Sequence, residues 1–125
     1  MKQQKFSVKK RIHSFKYAFN GLRILFKYEH NARIHLFATI CVLAAGILLK
    51  ISTFEWFAVI FAIGIVIAFE AINSAIESLA DFVSPQQHHL IQKIKDLAAA
   101  AVLVSAISAA IVGFLIFIPR IMQLI

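Results

Sequence analysis

The sequence predicts an all-α integral membrane protein: an N-terminal amphipathic surface helix followed by three transmembrane helices, with the N-terminus cytoplasmic. Three observations carry this. Hydrophobic residues make up 61% of the 125 residues and mean hydropathy is +0.83, well above what soluble domains show. The apolar residues fall in three blocks, roughly 34–49, 56–83 and 97–118, each near the ~20 residues that cross a ~30 Å hydrocarbon core. Nine of the thirteen Lys and Arg stand in the first 33 residues beside a single acid, Glu29, and the positive-inside rule puts such a segment on the cytoplasmic side.

One membrane domain is expected over 1–125, with a basic interfacial segment at 1–30 and transmembrane helices at about 31–50, 54–83 and 92–119. In the first of these segments Lys9, Lys10, Arg11, Lys16, Arg23 and Lys27 are interspersed with Phe6, Phe15, Tyr17, Phe19, Leu22 and Phe26. That mixture suits a helix lying in the headgroup boundary, and a plain membrane anchor would share it. Gly21 weakens a helix by about 1 kcal/mol relative to Ala, which favours a break before the first span. Ile51, Ser52 and Thr53 turn the chain, and Ser52 or Thr53 can cap the next helix. The second span stops before Ser84 and Pro85, because the residue preceding Pro is pushed out of the helical region. A polar loop over 84–92 leads to a third span rich in Ala and Ser, which lets helix backbones approach closely.

Composition also excludes. The formal net charge of +7 would suit nucleic acid, but the cations adjoin a span, where anionic lipid headgroups attract them; no nucleic-acid partner is expected. The first apolar run begins late and lacks a small-residue cleavage pattern, so the N-terminus is expected to be retained. Cys41, the lone cysteine, supports neither a disulfide framework nor a metal cluster and reads as an apolar filler. Three helices give one protomer little interior for polar groups, so a homo-oligomer is expected.

The chemistry concentrates on the second span. Glu70, Asn73, Ser74, Glu77 and Asp81 fall within about 100° of arc, one stripe of a helix. An acid at a span centre costs roughly 3 kcal/mol, and ionisable residues inside spans default to function. Interhelical polar glue, with Glu70 or Glu77 paired to Lys95 or Arg33, is the competing reading. Depth separates the carboxylates: at 1.5 Å per residue Glu70 lies about 24 Å and Glu77 about 34 Å from Phe54. The first is just inside a ~30 Å core and the second just outside it. A base at a lipid alcohol and a metal ligand at soluble phosphates would need this layout. Phosphoryl transfer asks for Mg²⁺, cations and a group to orient or deprotonate the hydroxyl, and Mg²⁺ needs only one or two protein carboxylates. Glu29 and Glu77 are the candidate pair, with Glu29 as a mere counter-charge to Lys27 or Arg33 equally open. Lys95, Lys10 and Arg11 are candidates to face the phosphates, and Lys95 also suits a positive-inside anchor. Four scattered glycines form neither a Walker nor a protein-kinase loop, so a nucleotide site must be built from helix faces.

The segment Glu70-Ala71-Ile72-Asn73-Ser74-Ala75-Ile76-Glu77, followed by Asp81 and then by Lys95 and Asp96, resembles the prokaryotic diacylglycerol kinase and undecaprenol kinase family. Tyr17, Gly21, Leu22, Arg23, Glu29 and Arg33, and later Ala100, Ala101, Val102 and Leu103, extend the likeness over nearly the whole chain. The resemblance implies a homotrimer in the bacterial cytoplasmic membrane, with three sites near the cytoplasmic surface shared between protomers and MgATP as phosphate donor. It makes Glu70 the catalytic base with Asn73 beside it, and Glu29 and Glu77 the metal ligands. Lys95, Asp96, Tyr17, Gln86 and His88 become nucleotide-site candidates. Lys10 stands where Arg is common, and Ala99 replaces a small polar residue. Asn31, Arg33, Ile34 and His35 resemble the Asn-x-Arg-Ile-His pattern of the undecaprenol-phosphorylating branch, which makes Arg33, His35 and Glu70 candidates for the lipid acceptor and undecaprenol the favoured one over diacylglycerol. His35 as an interface histidine satisfied by headgroups or Asn31 is the plainer reading. A small non-enzymatic assembly subunit, held together by its acidic stripe, is the alternative of a different class.

Overall fold

A computed structural model describes residues 5–125 as four helices in chain order: α1 (Val8–Tyr28), α2 (His30–Leu48), α3 (Thr53–Val83) and α4 (His89–Met122). Lys2, counted in the basic segment, lies outside the described residues. Helices α2, α3 and α4 are each long and apolar enough to cross a membrane. Their 19, 31 and 34 residues correspond to about 28, 46 and 51 Å. Only α2 matches the ~30 Å core; α3 and α4 overrun it by several turns. An overrun of that length is enough to carry the polar end of the α3–α4 hairpin, with Asp81 and Lys95, beyond a core of that thickness.

Helix α1 starts at Ser7, whose hydroxyl accepts the Lys10 N–H, and runs unbroken through Gly21. The break falls eight residues later, at Glu29 (φ −105°, ψ 116°). Arg33 fixes it there: Nε donates to the Phe26 carbonyl at 2.8 Å and the guanidinium also donates to Lys27 O. A basic side chain thus satisfies carbonyls left open at the end of α1. Between α2 and α3 the chain closes in a Schellman motif. Lys50 takes the left-handed conformation (φ 53°), while the Ile51 N–H reaches Gly46 O and the Lys50 N–H reaches Ile47 O. Ser52 then opens α3 with a reciprocal capping box to Glu55.

Helix α3 ends at Ser84 as its Pro85 requires. The third span starts at His89, three residues before the expected Gln92, because the His88 Nδ1 accepts the Leu90 N–H at 3.1 Å. Histidine is not among the favoured capping residues, so the start carries no sequence signal. At its other end α4 continues three residues beyond Pro119 to Met122.

Helices α3 and α4 form the main packed pair, antiparallel and pinned at both ends. Lys95 Nζ meets Asp81 Oδ1 at 2.5 Å at one end, and Arg120 pairs with Glu55 at the other. The pairs are 26 positions apart on α3 and 25 on α4, so one register holds along the hairpin. The apolar core lies at the turn end, where Ile51, Val59 and Ile116 are buried against Val42, Trp56, Val112 and Phe117. Trp56 packs on Gly46: a Cβ there would lie 2.6 Å from the indole Cη2. Cys41 is exposed and points away from this core, so it is not the filler that its apolar neighbours suggested.

Candidate active site

The site is built on the far half of α3 by the register that packs α2 against it. Starting from the α1–α2 junction, Ser74 Oγ donates to Glu29 Oε1 at 2.9 Å. Six residues along α2 and four back along α3, His35 Nε2 lies 3.1 Å from Glu70 Oε1. The same antiparallel packing ends at the Gly46–Trp56 contact. A stripe spaced by three and four on α3 therefore meets one face of α2, which is how a local helical pattern becomes a cluster.

Glu70 is the buried acid of the protein, 3% exposed. His35 sits beside its Oε1 at ion-pair distance, but without the alignment of a hydrogen bond, and that oxygen has no hydrogen-bond donor among the described residues. Asn73 Oδ1, one turn on, is likewise buried without a donor. A buried acceptor left unmatched costs about 1–3 kcal/mol, so two side by side point to a ligand that brings donors. An alcohol hydroxyl is such a group.

Glu29 and Glu77 are half-buried. Ser74, which holds Glu29, is three residues before Glu77, and residues three apart on a helix have Cβ atoms about 5–6 Å apart. Glu29, His35 and Glu77 are the titratable groups close to Glu70, and Glu77 and Asp81 those close to Lys95. The carboxylates and the lysine thus form one ladder from the buried Glu70 out to the hairpin end. Lys95 is held by Asp81, and Asp96 accepts from Gln92 at 2.8 Å.

Other candidates stand apart. The side chains of Lys10, Arg11 and Tyr17 are exposed on the first half of α1 and make no hydrogen bond or ion pair among the described residues. Gln86 and His88 lie in the α3–α4 connection, His88 as the cap of α4. Arg33 is turned back onto α1 and pairs with neither Glu70 nor Glu77, and Lys95 bonds Asp81; the glue pairs considered for the acids do not form. His35 meets Glu70 and not Asn31. On its other side His35 lines an apolar cleft of about 600 Å³ between α2, α3 and α4, bounded also by Ala38, Val66, Ala106 and Phe117. Ser74 and Asp81, part of the acidic stripe but given no role from sequence, are the partners that hold Glu29 and Lys95.

The family model for prokaryotic diacylglycerol kinase matches residues 16–117, which include every residue of the ladder. The chain is 36% identical to the undecaprenol kinase of Bacillus subtilis over 107 residues, covering 86% of this chain and 87% of that protein. It is 37% identical over 112 residues to the diacylglycerol kinase of Synechocystis, covering 89% of this chain and 64% of that protein. To the diacylglycerol kinase of Haemophilus influenzae it is 31% identical over 108 residues, 85% of this chain and 92% of that protein. With three apolar spans, a buried carboxylate on the second and this breadth of similarity, the chain belongs to the prokaryotic diacylglycerol kinase family and is a membrane lipid kinase.

Proposed function

We propose that this kinase transfers the γ-phosphoryl group of MgATP to the hydroxyl of undecaprenol, giving undecaprenyl phosphate, at a site on the cytoplasmic side of the bacterial inner membrane. The observation that carries the reading is Glu70: a buried carboxylate near the end of the apolar stretch of α3, beside a second donor-hungry oxygen on Asn73. A lipid hydroxyl brings one donor, giving its proton towards Glu70 as its oxygen attacks phosphorus and ADP departs. Such a base contributes about 10²–10⁴-fold when it is within hydrogen-bond reach of its proton.

The nucleotide end is assigned to the outer part of the ladder. Glu29 and Glu77 are the proposed metal ligands. Glu29 is held by Ser74, one turn before Glu77 on α3, and an ion of this kind takes one or two carboxylates and completes its shell with water and phosphate. When bound, Mg²⁺ supplies charge neutralisation at the phosphate oxygens. Lys95 and Asp96, together with Lys10, Arg11, Tyr17, Gln86 and His88, are assigned to the nucleotide, and Arg33 to the lipid side, where His35 stands beside the base. Because the side chains of Lys10, Arg11 and Tyr17 are exposed and make no polar contact among the described residues, a homotrimer with sites shared between protomers accommodates them. Basic residues on α1 suit the cytoplasmic leaflet.

Diacylglycerol, giving phosphatidic acid, is the second reading, favoured by the names of the Synechocystis and Haemophilus influenzae relatives. Purified protein in mixed micelles, with MgATP and either lipid at matched surface concentration, decides between them. A higher kcat/KM for undecaprenol is expected. A clear preference for diacylglycerol overturns the acceptor assignment and leaves the kinase in place.

A further inference from the structure

We propose that His35 is a positioning residue for Glu70, holding Oε1 of the carboxylate so that Oε2 is presented to the acceptor hydroxyl. The inference rests on Glu70 being the catalytic base and adds the group that orients it. Four observations support it. His35 Nε2 is 3.1 Å from Glu70 Oε1. That oxygen is buried with no hydrogen-bond donor among the described residues, so the imidazole is the polar group poised to supply one. The candidate cations elsewhere are engaged, Arg33 with the end of α1 and Lys95 with Asp81. Finally, the contact belongs to the same α2–α3 register as the Glu29–Ser74 hydrogen bond and the Gly46–Trp56 packing, so the backbone on both sides of it is fixed.

A carboxylate on a long side chain has several rotamers, and a base is effective only when aimed. An imidazole N–H against one oxygen removes that freedom, and a nucleophile or base oriented by a third group is a recurrent arrangement in enzymes. Only Nε2 reaches Glu70, which separates the replacements: Gln carries its amide nitrogen near the Nε2 position, whereas the amide of Asn is one carbon short. His35 also lines the apolar cleft, so a role in reading the lipid chain is the alternative, and it has a different kinetic signature. Contact with the lipid appears in the acceptor KM; aiming the base appears in kcat.

The experiment compares wild type, His35→Ala, His35→Gln, His35→Asn and Glu70→Gln as purified protein in mixed micelles with undecaprenol and MgATP, with oligomeric state followed by size exclusion. His35→Ala is expected to lower kcat by about 10- to 100-fold, the scale of a misplaced reacting group, with both KM values within about twofold by the same reasoning. His35→Gln recovers most of the loss and His35→Asn does not. Adding His35→Ala to Glu70→Gln costs nothing further, since both act through one carboxylate. A wild-type kcat in His35→Ala, or a raised acceptor KM at unchanged kcat, overturns the positioning role. Equal losses in the Ala and Gln variants, with the oligomer gone, assign His35 to structure and overturn it too. In each of these cases an inactive Glu70→Gln leaves the base assignment standing; an active Glu70→Gln removes that assignment and this inference with it.

Discussion

At the turn end of the bundle, Ser52, Glu55, Arg120 and the carbonyl of Lys50 are bonded to one another over a packed apolar cluster. At the carboxylate end, Glu70 Oε1 and Asn73 Oδ1 are buried without donors among the described residues. Both ends belong to the same helices and the same register. The difference is in what completes them. The turn end is closed by the chain's own polar groups, so it fixes where α2, α3 and α4 lie. The carboxylate end keeps acceptors that no group of the chain bonds, at a cost of about 1–3 kcal/mol each, and local rules are expected to be broken where function resides.

The strongest way to break this comparison is at the buried acid. Glu70→Gln keeps the shape of the side chain and removes the base, so phosphoryl transfer falls by about 10³-fold, within the range for lost general-base catalysis. The oligomer in detergent and its thermal midpoint should be unchanged. Loss of oligomer together with activity would make Glu70 part of the scaffold, like the residues at the turn end. Next in size are the outer carboxylates. Glu29→Ala and Glu77→Ala each lower kcat/KM for MgATP by about 10- to 100-fold, the scale seen when groups that support a metal are removed. The double variant costs little more than the worse single, because both act through one ion. Clean additivity in steady-state kinetics would count against a shared metal.

The turn end answers to packing. In Gly46→Ala the new methyl would lie 2.6 and 2.9 Å from Cη2 and Cζ2 of Trp56 and 3.2 Å from Cδ1 of Ile51. Overpacking of this kind costs about 1–3 kcal/mol, partly offset by the ~1 kcal/mol better helix propensity of Ala. A lower thermal midpoint is expected, with kcat per folded molecule close to wild type and recovery when Trp56→Leu is added. A fall in kcat at unchanged stability would mean that the two ends are coupled and not separate.

What was legible in the sequence follows the range of each signal. The three spans, the Ser52 cap and the stop at Ser84–Pro85 are local patterns, and the acidic stripe on α3 is a helical spacing visible within twelve residues. What holds the break at Glu29 has no local trace: Gly21 is the local breaker, while the kink is fixed by Arg33 reaching back and by Ser74 from another helix. The early start of α4 was hidden by a capping histidine. The His35–Glu70 contact joins residues 35 positions apart and has no local trace, although both lie at the same end of their spans and depth alone would have made them neighbours. Cys41 sits among apolar residues, but neighbours in sequence do not say which face of α2 it takes.

The smallest effect tests the turn itself. Lys50 occupies the position after the helix cap where a Schellman motif calls for the left-handed region, at φ 53°, and a side chain with a Cβ pays there roughly 1–2 kcal/mol. Glycine has no such penalty but loses more conformational freedom on folding, so the net stabilisation of Lys50→Gly is about 0.5–1 kcal/mol, in line with Gly as the usual residue at this site. The Arg120 contact uses the Lys50 carbonyl and not its side chain, so it survives the change. Thermal unfolding in detergent should show a raised midpoint with unchanged kcat. Lys50→Ala supplies the control: it removes the same charge and keeps the Cβ, so it should leave the midpoint near wild type. If Ala stabilises as much as Gly, the gain comes from the lost charge and the backbone conformation at Lys50 carries no strain.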